Sequence, residues 1–189
     1  CQFASAYGSG EELPPGIPGG PPRKRLVLTE PSSKLDALEE VTDELGDQQA
    51  AIFAESRQLV ELAATRLERA GKRVGLVTGE VSQERRKEVV DAFQAGDLQL
   101  LLLTLGAGGE GLTLTAASVV VFLQRSWSRT KNVQAEDRLH RIGQERPVTV
   151  VELVTEGTVD EYTRDVLADK SARVEELVRD EETLRAWLR

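Results

Sequence analysis

Beyond about residue 30 the apolar positions follow two rhythms, short unbroken runs and stripes that recur every three or four residues. The runs are "AAIFA" (50–54), "RVGLVT" (73–78), "LQLLLLT" (98–104), "SVVVFL" (118–123) and "VTVVELV" (148–154). Each has the length of a strand, and near-continuous apolar strands belong to parallel sheets covered on both faces. The stripes predict helices between them. Val60, Ala63, Ala64 and Leu67 fall at i, i+3, i+4 and i+7, one face of a helix that ends before Gly71. Ser82 caps a helix that turns Val89, Val90 and Phe93 inward, residues 131–141 form another, and a long charged helix occupies 158–179 with further turns to Leu188. Ahead of the first run, Ser33 followed by Asp36 makes a variant capping box that opens a helix reaching about Leu45. Strand and helix alternating at these spacings predict an α/β fold with a doubly wound parallel sheet. Ligands of such sheets sit at the carboxyl ends of the strands, here the segments after Thr104, after Leu123 and around 78–80.

Composition changes this picture at the ends of the chain. All but two of the seven prolines lie within residues 1–25, "CQFASAYGSGEELPPGIPGGPPRKR", where neither helix nor strand period survives. Residues 1–29 are read as a flexible linker, and 30–189 as one domain with a helical extension from about 158. The chain holds one cysteine and no methionine. The first gives no internal disulfide and points to an intracellular protein; the second implies that the start has been removed or that this is a piece of something longer. No run approaches the roughly 20 apolar residues of a membrane span.

Charge changes it once more. A formal net charge of −8, from 24 Lys and Arg against 32 Asp and Glu, excludes a general nucleic-acid coat and leaves phosphate to local patches. Residues 125–146 are such a patch, with Arg125, Arg129, Lys131, Arg138, Arg141 and Arg146 against Glu136, Asp137 and Glu145. After Thr104 stand Gly106, Gly108, Gly109 and Gly111, which suit a tight turn as readily as a close approach of backbone N–H groups to phosphate or sugar. No Walker lysine follows. After Leu123, Trp127 lies between Arg125 and Arg129, placed to stack on a base or to cover a sheet edge. Gln134, Arg138 and Arg141, at i, i+4 and i+7, share a face of the predicted helix. Asp137 and Arg141 would also make a solvated ion pair, but two guanidinium groups at this spacing suit the charge of a transferring γ-phosphoryl group. His140, the single histidine, has no second ligand nearby and makes no metal site.

"FAES", "TGEVSQERR", "TLGAGGEGLTLTAA", "FLQRSWSRTKNVQAEDRLHRIGQ" and "VELVTEGTVDEY" together resemble, in order and at compatible spacing, motifs IV, V and VI of the Swi/Snf-like ATPases of helicase superfamily 2. The resemblance covers about residues 30–168, and the block from Gln134 to Gln144 is its most specific part. It implies the second of two RecA-like lobes, a three-layer, P-loop-NTPase-like α/β lobe, with residues 1–29 as interlobe linker. ATP and magnesium would be held mainly by a first lobe, whose P-loop and Asp-Glu box this sequence does not carry, so the chain alone is expected to be inactive. Carried over residue by residue, the resemblance makes Arg138 and Arg141 arginine fingers toward ATP and Gln134 a nucleotide sensor. It places Gly109, Glu110 and Gly111 near the ribose. It draws the contacts to duplex DNA from Phe53, Ser56, Thr78, Gly79, Thr104, Arg125, Trp127 and Arg129. A monomer is implied, with no membrane partner.

Two departures stand out. Leu105 and Gly106 occupy positions where many members have a basic residue, and Trp127-Ser128-Arg129 replaces Trp-Asn-Pro; both bear on the individual DNA contacts. The close spacing of the motifs favours a bacterial or phage enzyme acting in the cytoplasm or nucleoid, with the nucleus as the eukaryotic counterpart. Two other functions fit less of the pattern, a stand-alone lobe that binds DNA or a partner without catalysis, and an RNA helicase lobe.

Overall fold

The structure is a computed structural model that describes residues 28, 30–107 and 111–170, with the backbone of 12–13 and 23–24. Within the predicted linker, β1 (Glu12–Leu13) and β2 (Arg23–Lys24) form a short antiparallel ladder that no apolar period announced. The fold proper alternates α1 (Ser33–Glu44), β3 (Ala50–Ala54), α2 (Arg57–Arg69), β4 (Val74–Val77), α3 (Gln83–Gln94), β5 (Leu100–Thr104), β6 (Val119–Phe122), α4 (Arg129–Glu136) and β7 (Thr149–Glu152). Residues 159–170 follow as a further helix, α5; the predicted continuation toward Leu188 lies outside the described residues.

The five strands β3–β7 form one sheet in the order β4-β5-β3-β6-β7, every neighbouring pair parallel. This is the predicted RecA-like α/β architecture. Its two faces follow the strand period of two. Ala50, Ile52, Leu100, Leu102, Val119 and Val121 pack with Leu35 and Leu38 of α1 and Leu59, Val60, Ala63 and Leu67 of α2. Ala51, Phe53, Leu101, Leu103, Val120 and Phe122 pack with Val89, Val90 and Phe93 of α3, with Ala135 of α4 and with Leu139. Registers Ala54↔Thr104, Phe53↔Phe122 and Phe122↔Glu152 bring the carboxyl ends of the strands level on one edge. The chain leaves β3 toward one side of the sheet and β6 toward the other, so the switch point lies between these two ends.

Two expectations are corrected. The helix predicted over 131–141 ends at Glu136, so Gln134 is helical but Arg138 and Arg141 are not. Leu139 is fully buried in the core, and the Arg138 carbonyl accepts from Leu114 N at 3.0 Å, which draws the chain out of the helical path. The bonds tighten accordingly, from Leu139 N to Glu136 O (3.0 Å) and then Arg141 N to Leu139 O (3.0 Å). In α1 the N-cap is Ser32 and its side chain makes no cap bond. The capping box does not form, and the Asp36 carboxylate pairs instead with Arg66 at 2.6 Å. Ser82 does cap α3, accepting from Arg85 N at 3.3 Å.

Candidate functional site

The turn after α4 and the segment after the glycine cluster are laced together residue by residue. Arg138 Nη1 donates to Leu112 O at 3.5 Å, and Arg141 Nη1 donates to Gly111 O at 3.0 Å and Thr113 Oγ1 at 3.2 Å. Gln144 Nε2 donates to Ala117 O at 2.7 Å and Thr115 O at 3.3 Å. From the opposite side, Gln94 of α3 accepts from Ala116 N at 2.8 Å and reaches Thr115 Oγ1 at 3.3 Å. Gly111 and Gly143, at φ 56° and 103°, take left-handed conformations that let both segments turn within this lacing. Sequence reasoning missed Gln94, Thr113 and Gln144. A glutamine amide, donor and acceptor at once, is the residue type that can staple a bare loop, but its sequence carries no sign of the loop it will meet.

The charge balance is unusual. Arg138 is only 6% exposed, and among the described residues no carboxylate pairs with it or with Arg141. Burial first, and the charge of Arg141 second, hold the Arg138 guanidinium below its ordinary pKa. Gln134 stands exposed on α4. Gly109 and Glu110 lie outside the described residues. Beside Gly111, Leu112 and Thr113 an open cleft of about 430 Å³ runs along Gln83, Arg86, Lys87 and Gln94 of α3.

The expected DNA contacts gather on the carboxyl edge, but not all of their side chains point outward. Ser56 caps α2, accepting from Leu59 N at 3.4 Å, while its own N–H donates to Gln124 Oε1 at 3.1 Å across the switch point. Gly79 is exposed; Thr78 and Thr104 are buried, and Thr104 Oγ1 accepts from Ala107 N at 3.3 Å. Trp127 is 45% exposed and meets Tyr162 of α5 edge-on at 5.5 Å. Arg129 opens α4. Two placements are corrected. Phe53 is buried completely, 6.0 Å from the Phe122 ring, because β3 is covered on both faces. Arg125 is turned inward between Glu136 (Nη1 to Oε1, 3.2 Å) and Glu152 (Nε to Oε2, 3.0 Å), over the face of Phe122 at 4.2 Å.

A doubly wound parallel sheet with a pair of arginines bound back onto its glycine-rich segment defines a RecA-like lobe of the helicase kind. The pattern of the helicase conserved C-terminal domain matches residues 33–143, and the chain belongs to that family, in its Swi/Snf-like branch. It is similar to the DNA excision repair protein ERCC-6-like of Bos taurus, with 37% identity over 153 residues, 78% of this chain and 12% of that protein. It is also similar to the putative ATP-dependent helicase/translocase YwqA of Bacillus subtilis, with 34% identity over 158 residues, 82% of this chain and 17% of that protein. Among solved structures, the C-terminal part of the Fun30 ATPase domain superposes with a TM-score of 0.68 at 26% identity, over 72% of this chain and 45% of that one. The chain thus spans less than a fifth of the length of these two curated relatives. Bacterial and animal proteins match alike, so the compact spacing of the motifs does not single out a source.

Proposed function

We propose that this chain is the second motor lobe of an ATP-dependent double-stranded-DNA translocase, supplying Arg138 and Arg141 to ATP held by a partner lobe together with half of a DNA track. The observation that supports this best is the pair itself. Arg138 is a buried cation beside a second cation, with no carboxylate among the described residues to balance them. Such an arrangement is costly in the free lobe and becomes favourable when an anion arrives between the groups. A triphosphate presented across a cleft is that anion, and guanidinium groups match the charge spread over its transferring phosphoryl group. Gln134 would touch the nucleotide from α4, with Gly109, Glu110 and Gly111 toward the ribose. Magnesium is assigned, with most of the ATP, to the partner lobe, as the family resemblance implies.

The DNA track runs along the carboxyl edge, through Ser56, Gly79, Trp127 and Arg129 and the backbone at Thr78 and Thr104. Hydroxyls, N–H groups and one arginine at strand ends suit phosphate contacts that position a duplex without reading its sequence. Phe53 and Arg125 leave this set, the first by burial and the second by its ion pairs.

The test is ATP hydrolysis by this chain mixed with a matching first lobe, with and without duplex DNA, beside Arg141→Ala. The chain alone should not turn over ATP. The mixture should, faster with duplex DNA than with RNA, and Arg141→Ala should remove about 10³-fold or more of the rate. Hydrolysis by the chain alone, or undiminished hydrolysis by the variant, overturns the proposal. One observation favours a second reading, a stand-alone binding lobe: Arg141 already has acceptors in Gly111 and Thr113. In that reading an associated, ATP-bound mixture stays silent while the chain still binds DNA or a protein partner.

A further inference from the structure

Arg125 makes contacts on three elements at once. It leaves the carboxyl end of β6 two residues before Trp127, and its guanidinium lies over the ring of Phe122, 4.2 Å from the centroid. Nη1 bonds Glu136 of α4 at 3.2 Å, and Nε lies 3.0 Å from Glu152 of β7, an ion pair whose N–H is not aimed at the oxygen. The three side chains are 20%, 28% and 27% exposed, shielded well beyond an ordinary surface pair. Glu136 is the last residue of α4, and its carbonyl accepts from Leu139 N at 3.0 Å and His140 N at 3.2 Å. Those bonds shape the turn that carries Arg138 and Arg141. The Trp127 turn is tied to the same helix a second time, by the reciprocal pair Ser126 N to Asn132 Oδ1 and Asn132 Nδ2 to Ser126 O, both 2.9 Å.

We propose that Arg125 is a positioning residue that, by holding Glu136 and Glu152 together, fixes the Arg138–Arg141 turn relative to the turn that presents Trp127 and Arg129. The functional side of this rests on the motor reading above, in which the two turns face nucleotide and DNA respectively. A direct phosphate contact is the competing role for an arginine here. Two carboxylates already take up its guanidinium, so a phosphate approaching Arg125 has to displace one of them.

The test uses Arg125→Lys, which keeps a charge but cannot span both carboxylates, and Glu136→Gln, which keeps the shape of its side chain and removes one charge. In the 189-residue chain the side-chain Nε–Hε NMR signals of Arg138 and Arg141 should move in both variants while the thermal midpoint stays within a few degrees. Signals that coincide with those of the unmodified chain in Glu136→Gln overturn the proposal, and this arm needs no ATPase. In the mixed-lobe assay, each variant should lower kcat at saturating duplex DNA by about tenfold to a hundredfold, the scale of a catalytic group displaced by about 1 Å. The DNA concentration for half-maximal rate should stay within about twofold. Weakened DNA affinity at unchanged kcat would make Arg125 a DNA contact and also overturn it. A mixture of unmodified lobes that does not hydrolyse ATP sinks the motor reading instead, and the NMR signals still decide the positioning role.

Discussion

At Arg138 the fold keeps a guanidinium where an apolar side chain of similar length would be the easier occupant. Its hydrogen bond to Leu112 O is long, at 3.5 Å, and its pKa is held down by burial and by Arg141. For a base, a depressed folded pKa means that the charged form is disfavoured in the fold. The cost is present at every pH below that pKa and is relieved only as pH rises through it, so stability should be insensitive to this group across neutral pH. Arg138→Met is therefore expected to leave stability unchanged or to raise it by about 1–4 kcal/mol, the range seen when buried charges give way to packed apolar groups. The same variant should lose about 10³-fold or more of the mixed-lobe ATPase. Urea unfolding of the chain and turnover of the mixture check the two halves separately. A drop in stability of more than about 2 kcal/mol would make the bond to Leu112 structural.

Elements were legible in the sequence wherever local pattern and tertiary demand agree. The five apolar runs became five parallel strands; β3, β5 and β6 are covered on both faces and have no polar side to show, while the edge strand β7 leaves Val150 exposed, and Val60, Ala63, Ala64 and Leu67 of α2 are buried as their spacing required. Two features failed where a distant partner decided. Helix α4 stops at Glu136 because Leu114 and the core claim Arg138 and Leu139, and the box at Ser33 fails because Asp36 finds Arg66 thirty residues away. In the candidate site the sequence paired Arg138 with Arg141 through a helix that stops before both, and the inward turn of Arg125 was not legible, since its partners lie 11 and 27 residues further along. Among the described glycines the closest packing is at Gly75 of β4, where an added Cβ would stand 2.8 Å from both Leu98 Cδ1 and Val89 Cγ1. Gly75→Ala must shift the side chains of Leu98 and of Val89 on α3 and should cost about 1–3 kcal/mol in denaturant unfolding. Because α3 carries Gln94, which staples 115–116, the variant should also loosen the segment beneath Arg141, visible as faster amide exchange at Ala116.

Over the whole molecule, a net charge of −8 must be reconciled with a track for the most densely charged polymer in the cell. The carboxyl edge does so by matching several of its cations to acids on the same edge, Lys131 to Glu55 at 2.9 Å and Arg57 to Glu80. A phosphate that lands there displaces a carboxylate as well as solvent, so it gains less than it would from a free cation. Binding of duplex DNA by the chain alone should then be weak, indifferent to sequence and only mildly salt-dependent. With about 0.9 counterions released per phosphate neutralised, two or so effective contacts give a log–log slope near −2. Glu80→Gln, which leaves Arg57 with only its pair to Glu61 at 3.3 Å, should steepen that slope by up to about one and tighten binding at low salt. Fluorescence anisotropy of a labelled duplex across a salt series measures both. A slope steeper than about −5, or one that Glu80→Gln leaves alone, would place the duplex on a different face, because the carboxyl edge has too few unmatched charges to generate the first and contains the pair that governs the second.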